Sequence, residues 1–173
     1  SQTVPCAVQV TGGTVGGSAN PTPYHSIATM FGTVNVTPLT DLVVAHLANG
    51  SPQAWFPQAN LSSLTTNAVT AALNAVTTGL GLGATLGTSN PLTTRFIAQR
   101  GNLLDDVLEA MRAALSNLAS GHSTLLAAAG NRDFAGFAGQ TLLNDQLVAG
   151  LAKLLASCNT IDRFERLIVD LML

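Results

Sequence analysis

His25, His46 and His122, an isolated Asp41 and the run Gly121-His122-Ser123 have the most chemistry to offer in this chain. Acyl transfer needs a nucleophile, a base and an orienting group within reach of one another. Gly121-His122-Ser123 has the outline of a nucleophile elbow. However, Leu125 stands where that motif needs its second glycine, and the preceding residues have a helical pattern where a strand is required. The three histidines are scattered, and no C-x-x-C or other metal-ligand spacing accompanies them. Each therefore reads as a structural hydrogen-bonding group. An enzymatic reading would revive only if the fold brought two of them, or Asp41 and His25, together in an open pocket.

The carboxylates divide the same way. Asp105 and Asp106 are neighbours on a helical pattern and point in different directions, which suits a solvated helix start and not a paired acid–base site. Asp41 is the sole charged residue before Arg95; its place in a first helical turn explains it through the helix dipole, with a functional contact as the alternative. Trp55-Phe56 fits a core anchor, or else a face on which a ligand such as a sugar ring could stack. No catalytic residue, metal site or cofactor is expected. Asp41, His46, Trp55 and Phe56 are the candidates for contact with a partner or ligand.

The chain has 173 residues, 47% hydrophobic and only 9% charged, with a net charge of −2. Soluble domains ordinarily carry about 25% charged residues, so Ser, Thr, Asn and Gln must supply most of the polar surface. There is no basic field for nucleic acid or an anionic membrane. The charge-poor run before Arg95 is broken by Pro52, Pro57, Pro91 and several glycines, which excludes a transmembrane helix there. It opposes self-association very little. Partners are therefore expected to be protein, or a second copy. A hydrophobic small molecule such as a lipid or pigment, held in a helical cavity, is the runner-up.

Low Lys and Glu, abundant Thr and Asn, and two cysteines point to an oxidising, extracytoplasmic compartment. A disulfide between Cys6 and Cys158 would tie the first strand to a late helix and, in the chain-entropy model, stabilise by about 4–5 kcal/mol. Two buried thiols are the alternative.

The elements that must position these residues follow from pattern. Val4, Cys6, Val8 and Val10 alternate with more polar or small residues, as in a half-buried strand. A turn-rich loop over 11–23 precedes further strands at Tyr24–Met30 and Thr33–Val36. Thr37 then serves as N-cap, Pro38 as first helical residue and Gly50 as left-handed terminator of a helix. Ser51-Pro52 opens a short turn, and Leu61–Thr78 reads as an uncharged amphipathic helix. The glycine-rich segment 80–89 lacks the pattern of a phosphate loop and reads as packed against helices. Asn90-Pro91 starts another turn. Asn102 caps a helix whose Leu104, Val107, Leu108, Met111, Leu115 and Leu118 face inward while Asp105, Asp106, Glu109 and Arg112 face water, with Gly121 at its end. A short helix over Ser123–Ala129 and two more, from Thr141 and from about Ile161, complete the chain. The whole predicts one mainly α domain, 1–173: a bundle of about five to seven helices (37–173) with a small β-rich N-terminal element (1–36).

The series Val8-Gln-Val-Thr-Gly-Gly-Thr-Val-Gly-Gly17, His25-Ser-Ile-Ala-Thr29, Gly32-Thr-Val-Asn-Val-Thr-Pro-Leu-Thr-Asp-Leu-Val-Val44, Ala54-Trp-Phe56, Asn90-Pro-Leu-Thr-Thr-Arg-Phe96 and Leu103-Leu-Asp-Asp-Val-Leu108 carries a resemblance. It resembles a little-characterised group of bacterial, mostly proteobacterial, secreted proteins and lipoproteins. In these an Ig-like or carboxypeptidase-regulatory-like β segment leads into a helical region opened by a "TPLT" helix. The resemblance spans most of residues 8–108. Its motifs are caps, turns and helix faces, so it carries over no catalytic residue and implies only an exported bacterial protein. The expectation is a non-catalytic structural or interaction domain of the cell surface or exterior, self-associating through its charge-poor half; a carrier stands second and a hydrolase third.

Overall fold

Alternating small and β-branched residues at the start of the chain produce two paired strands. The computed structural model describes residues 3–135 apart from 16, 96, 100 and 117–120. In it β1 (Cys6–Val10) and β4 (Tyr24–Ala28) form a two-stranded antiparallel sheet, with Cys6 opposite Ala28, Gln9 opposite His25 and Val10 opposite Tyr24. Between them, in the stretch expected as plain loop, β2 (Thr14–Val15) and β3 (Ser18–Ala19) make a separate small hairpin. The strand expected at Thr33–Val36 does not pair in the sheet. Its hydrogen bonds run to a turn instead: Asn35 N–H donates to the Leu92 carbonyl at 2.9 Å, and its side-chain amide to the Pro91 and Thr94 carbonyls at 2.9 and 2.8 Å. Alternation identifies extended backbone, but not its partner.

Six α-helices follow among the described residues, giving a mainly α fold with a small β element. The first, α1 (Pro38–Ala48), opens as the sequence predicts: the Thr37 side chain accepts from Thr40 N–H, and Thr40 Oγ1 accepts from Thr37 N–H in return. Its left-handed terminator is Asn49, at φ 51°, and not Gly50. Asn tolerates that conformation because its side chain is short and polar.

Next come α2 (Pro52–Trp55), capped by Ser51, then short 3-10 turns at Phe56–Gln58 and Leu61–Ser63, and α3 (Thr66–Gly79). The helix expected from Leu61 starts later because Asn60 holds the 61–63 turn and Thr65 caps α3 by accepting from Ala68 N–H. A one-turn α4 (Gly83–Leu86) lies in the glycine-rich segment, whose Leu80, Leu82 and Leu86 are buried. Finally α5 (Leu103–Ser116) and α6 (Gly121–Gly130) close the described part. On α5, Leu104, Val107 and Met111 are buried as expected, but Asp106 is buried too. Its Oδ2 accepts from Gly101 N–H at 3.2 Å, which holds it against its own N-terminal turn. Leu118 and the helices expected from Thr141 and Ile161 lie outside the described residues.

The centre of the fold is α1. Leu39 to Ala45 are buried without a break, because β4, α2, α3 and α6 all pack on this helix. It contacts α6 closely at one end: a Cβ added at Gly130 would lie 2.8 Å from the Cα of Gly50. Gly130, where any side chain would collide with the Gly50 backbone, is therefore what permits the backbones of these segments to touch.

Candidate functional site

Polar groups of β4, α1 and α6 meet at one point, the carboxylate of Asp41. The cap at Thr37 fixes the start of α1, and this aims Asp41 and Thr40 at β4. His25 N–H donates to Asp41 Oδ1 at 3.1 Å, and Thr40 Oγ1 donates to the His25 carbonyl at 2.9 Å. The first turn of the helix thus satisfies both backbone groups that His25 presents away from β1, as a neighbouring strand would.

The ring of His25 adds to the same carboxylate. Its Nδ1 lies 2.7 Å from Asp41 Oδ1, and its Nε2 lies 2.9 Å from Gln9 Nε2. The Gln9 amide also donates to Gln53 Oε1 at 2.9 Å. An amide nitrogen only donates, so His25 Nε2 accepts, Nδ1 carries the proton, and Asp41 is its acceptor. On the far side, His122 of α6 places Nε2 3.4 Å from Asp41 Oδ2, and its ring meets Tyr24 edge-on at 5.7 Å. As the Nε2–H tautomer, His122 donates to the carboxylate and leaves Nδ1 as an enclosed acceptor without a partner. Phe56 tilts against the His25 ring at 5.7 Å.

Asp41 and His25 are each only 1% exposed. Burial first, and the Asp41 charge second, hold the Tyr24 phenol above its ordinary value. The structure therefore does bring together His25, Asp41 and His122, the convergence that spacing gave no reason to expect. At that point the carboxylate and the His25 ring are buried. The His25 nitrogen that would serve as base is occupied by Gln9, and the free nitrogen of His122 is enclosed. Chemically the arrangement is a brace: one carboxylate joins the sheet, α1 and α6.

Asp41 thus sits in the first turn as the dipole reading has it, but its carboxylate is spent inside the fold. The surface of described residues 3–94 consequently carries no formal charge. His46 lies apart, in the last turn of α1, where burial and the charge of Arg132 hold it below the ordinary histidine value against a hydrogen bond to the Ala129 backbone. Trp55 and Phe56 are half-buried, Trp55 against the core and Phe56 against His25. Ser123 is exposed in the first turn of α6. Cys6 is half-buried and forms no disulfide with another described residue; Cys158 lies outside the described residues, so the disulfide stays an expectation of the sequence. Gln9, Thr40, Tyr24 and Gln53 escaped sequence reasoning. The one available signal was Asp41 itself, a lone carboxylate directly before the apolar run Leu42-Val-Val-Ala45.

Among the described residues no cluster of His, Cys, Asp or Glu is arranged to hold a metal, and no helix is long and apolar enough to cross a membrane. A described cleft of about 320 Å³ runs between α3 and the 83–91 segment, with Thr70, Asn74, Thr77, Thr78, Thr88 and Ser89 among its lining. So many hydroxyl and amide groups suit a lipid or pigment poorly. Compared with protein-family models, functionally characterised proteins and solved structures, the chain matches none of them.

Proposed function

We propose that this chain is a non-catalytic structural or interaction module of an exported bacterial protein, and that it associates with copies of itself through its charge-poor N-terminal half. One observation carries the reading: the sole charge before Arg95 is buried in the brace, so nothing on that surface repels a second copy. Met30 and Phe31, 59% and 71% exposed side by side just after β4, add apolar area of the kind interaction surfaces use. Export rests on the low charge, the cysteines and the resemblance of residues 8–108.

Size-exclusion chromatography with light scattering over a range of concentrations tests this. Association through an uncharged surface should survive screening by salt and strengthen in sulfate. A strict monomer at high concentration, with no partner captured by cross-linking, overturns it. Native mass spectrometry separates the carrier alternative, which requires the purified protein to arrive with bound cargo.

A further inference from the structure

We infer that the outer edge of β1 is the surface by which two copies pair, as antiparallel strands about a two-fold axis at Val8; this rests on the self-association reading. The hydrogen bonds of β4 fix which groups are free. His25 turns its N–H and carbonyl toward α1, so Gln9 and His25 are a non-hydrogen-bonded pair of the ladder. Alternation then makes Ala7 and Ile27 another such pair, with Val8 and Ser26 hydrogen-bonded between them. It follows that Ala7 and Gln9 direct their backbone N–H and carbonyl groups away from β4. Among the described residues no strand pairs there: the sheet is β1 and β4 alone.

An unpaired edge is a template for another strand, and proteins ordinarily blunt it with charge, proline or a covering element. This edge has neither charge nor proline between Cys6 and Val10, and no described strand covers it. Its sequence is also compatible with itself. With Val8 facing Val8 of the second copy, Ala7 stands opposite Gln9 in both directions, and the two pairs exchange all the free backbone groups. Val10, 49% exposed, comes to lie opposite Cys6. No charges meet.

The geometry also limits the assembly. The product is a four-stranded sheet with β4 at both outer edges, and Asp41 and Thr40 already occupy the outward groups of His25 there. A two-fold pairing of this kind is closed. A charged partner would find nothing to complement on this half, so a second copy fits best.

Two variants of the full chain test it. Ala7→Pro removes an outward N–H without touching the β1–β4 ladder, since proline is tolerated at an outward edge position. It should weaken association about ten- to hundredfold, as expected for two lost backbone bonds per dimer. Val8→Cys in a Cys6→Ser background places two thiols directly opposite in a non-hydrogen-bonded pair, where a covalent dimer should form on mild oxidation. If the wild type associates, yet Ala7→Pro associates as well and Val8→Cys stays uncross-linked, this surface is overturned while self-association stands. If the wild type is monomeric throughout and Val8→Cys does not cross-link, both fall.

Discussion

Replacing Asp41 separates two accounts of the same residue. As a dipole partner alone, Asp41 would contribute about 0.3–1 kcal/mol. As the brace, it satisfies two buried donors of His25 and meets His122. Asp41→Ala strands the His25 backbone N–H and ring N–H, each costing about 1–3 kcal/mol when left without an acceptor. Removing a buried charge offsets part of that, because its own desolvation is relieved. The expected net loss is about 2–5 kcal/mol, or about 4–20 °C in Tm for a chain of this size. Asp41→Asn keeps an acceptor at Oδ1 but loses charge assistance, so it should fall between, at about 1–2 kcal/mol. Urea unfolding followed by circular dichroism and by the fluorescence of the sole tryptophan, Trp55, gives both values. Asp41→Ala within about 1 kcal/mol of wild type would restore the dipole account. Asp41→Asn more damaging than Asp41→Ala would also refute the reasoning.

Three other outcomes follow from the same geometry. Tyr24 is the sole tyrosine, so its ultraviolet titration is free of overlap; its midpoint should lie above the ordinary tyrosine value and drop partway in Asp41→Asn, since burial persists while the charge goes. An unchanged midpoint would mean that Tyr24 does not sense Asp41. For His46, held below its ordinary value, the unfolded chain binds the proton more readily, so stability falls as pH drops below about 6.5. His46→Gln should flatten the Tm curve between about pH 7 and 5, and parallel curves would refute this. Gly130→Ala, whose Cβ would meet the Gly50 backbone, should cost about 1–3 kcal/mol, whereas Gly83→Ala, with open space around it, should stay within about 0.5 kcal/mol of wild type. Equal effects in chemical denaturation would show that α1 and α6 do not approach as described.

The sequence by itself determined the local structure. Thr37-Pro38, Ser51-Pro52 and the turn at Asn90 are legible because a cap bonds residues two or three positions away, so cause and effect lie within one short stretch. The buried face of α5 is legible because helical periodicity repeats it. The tertiary structure alone decided the use of the polar groups. Asp41 meets His25 across 16 residues and His122 across 81, and Asn35 leaves the sheet for carbonyls 56 and 59 residues away. No period links such positions. They meet because Leu39 to Ala45 of α1 are buried on all sides, so that a polar group there must find a partner from whichever element packs against it. Thr40 shows both levels at once: its place in the capping box could be read from neighbours, but its bond to the edge of β4 could not. Composition announced a half-molecule almost without charge; packing decided that its one carboxylate would be hidden as well.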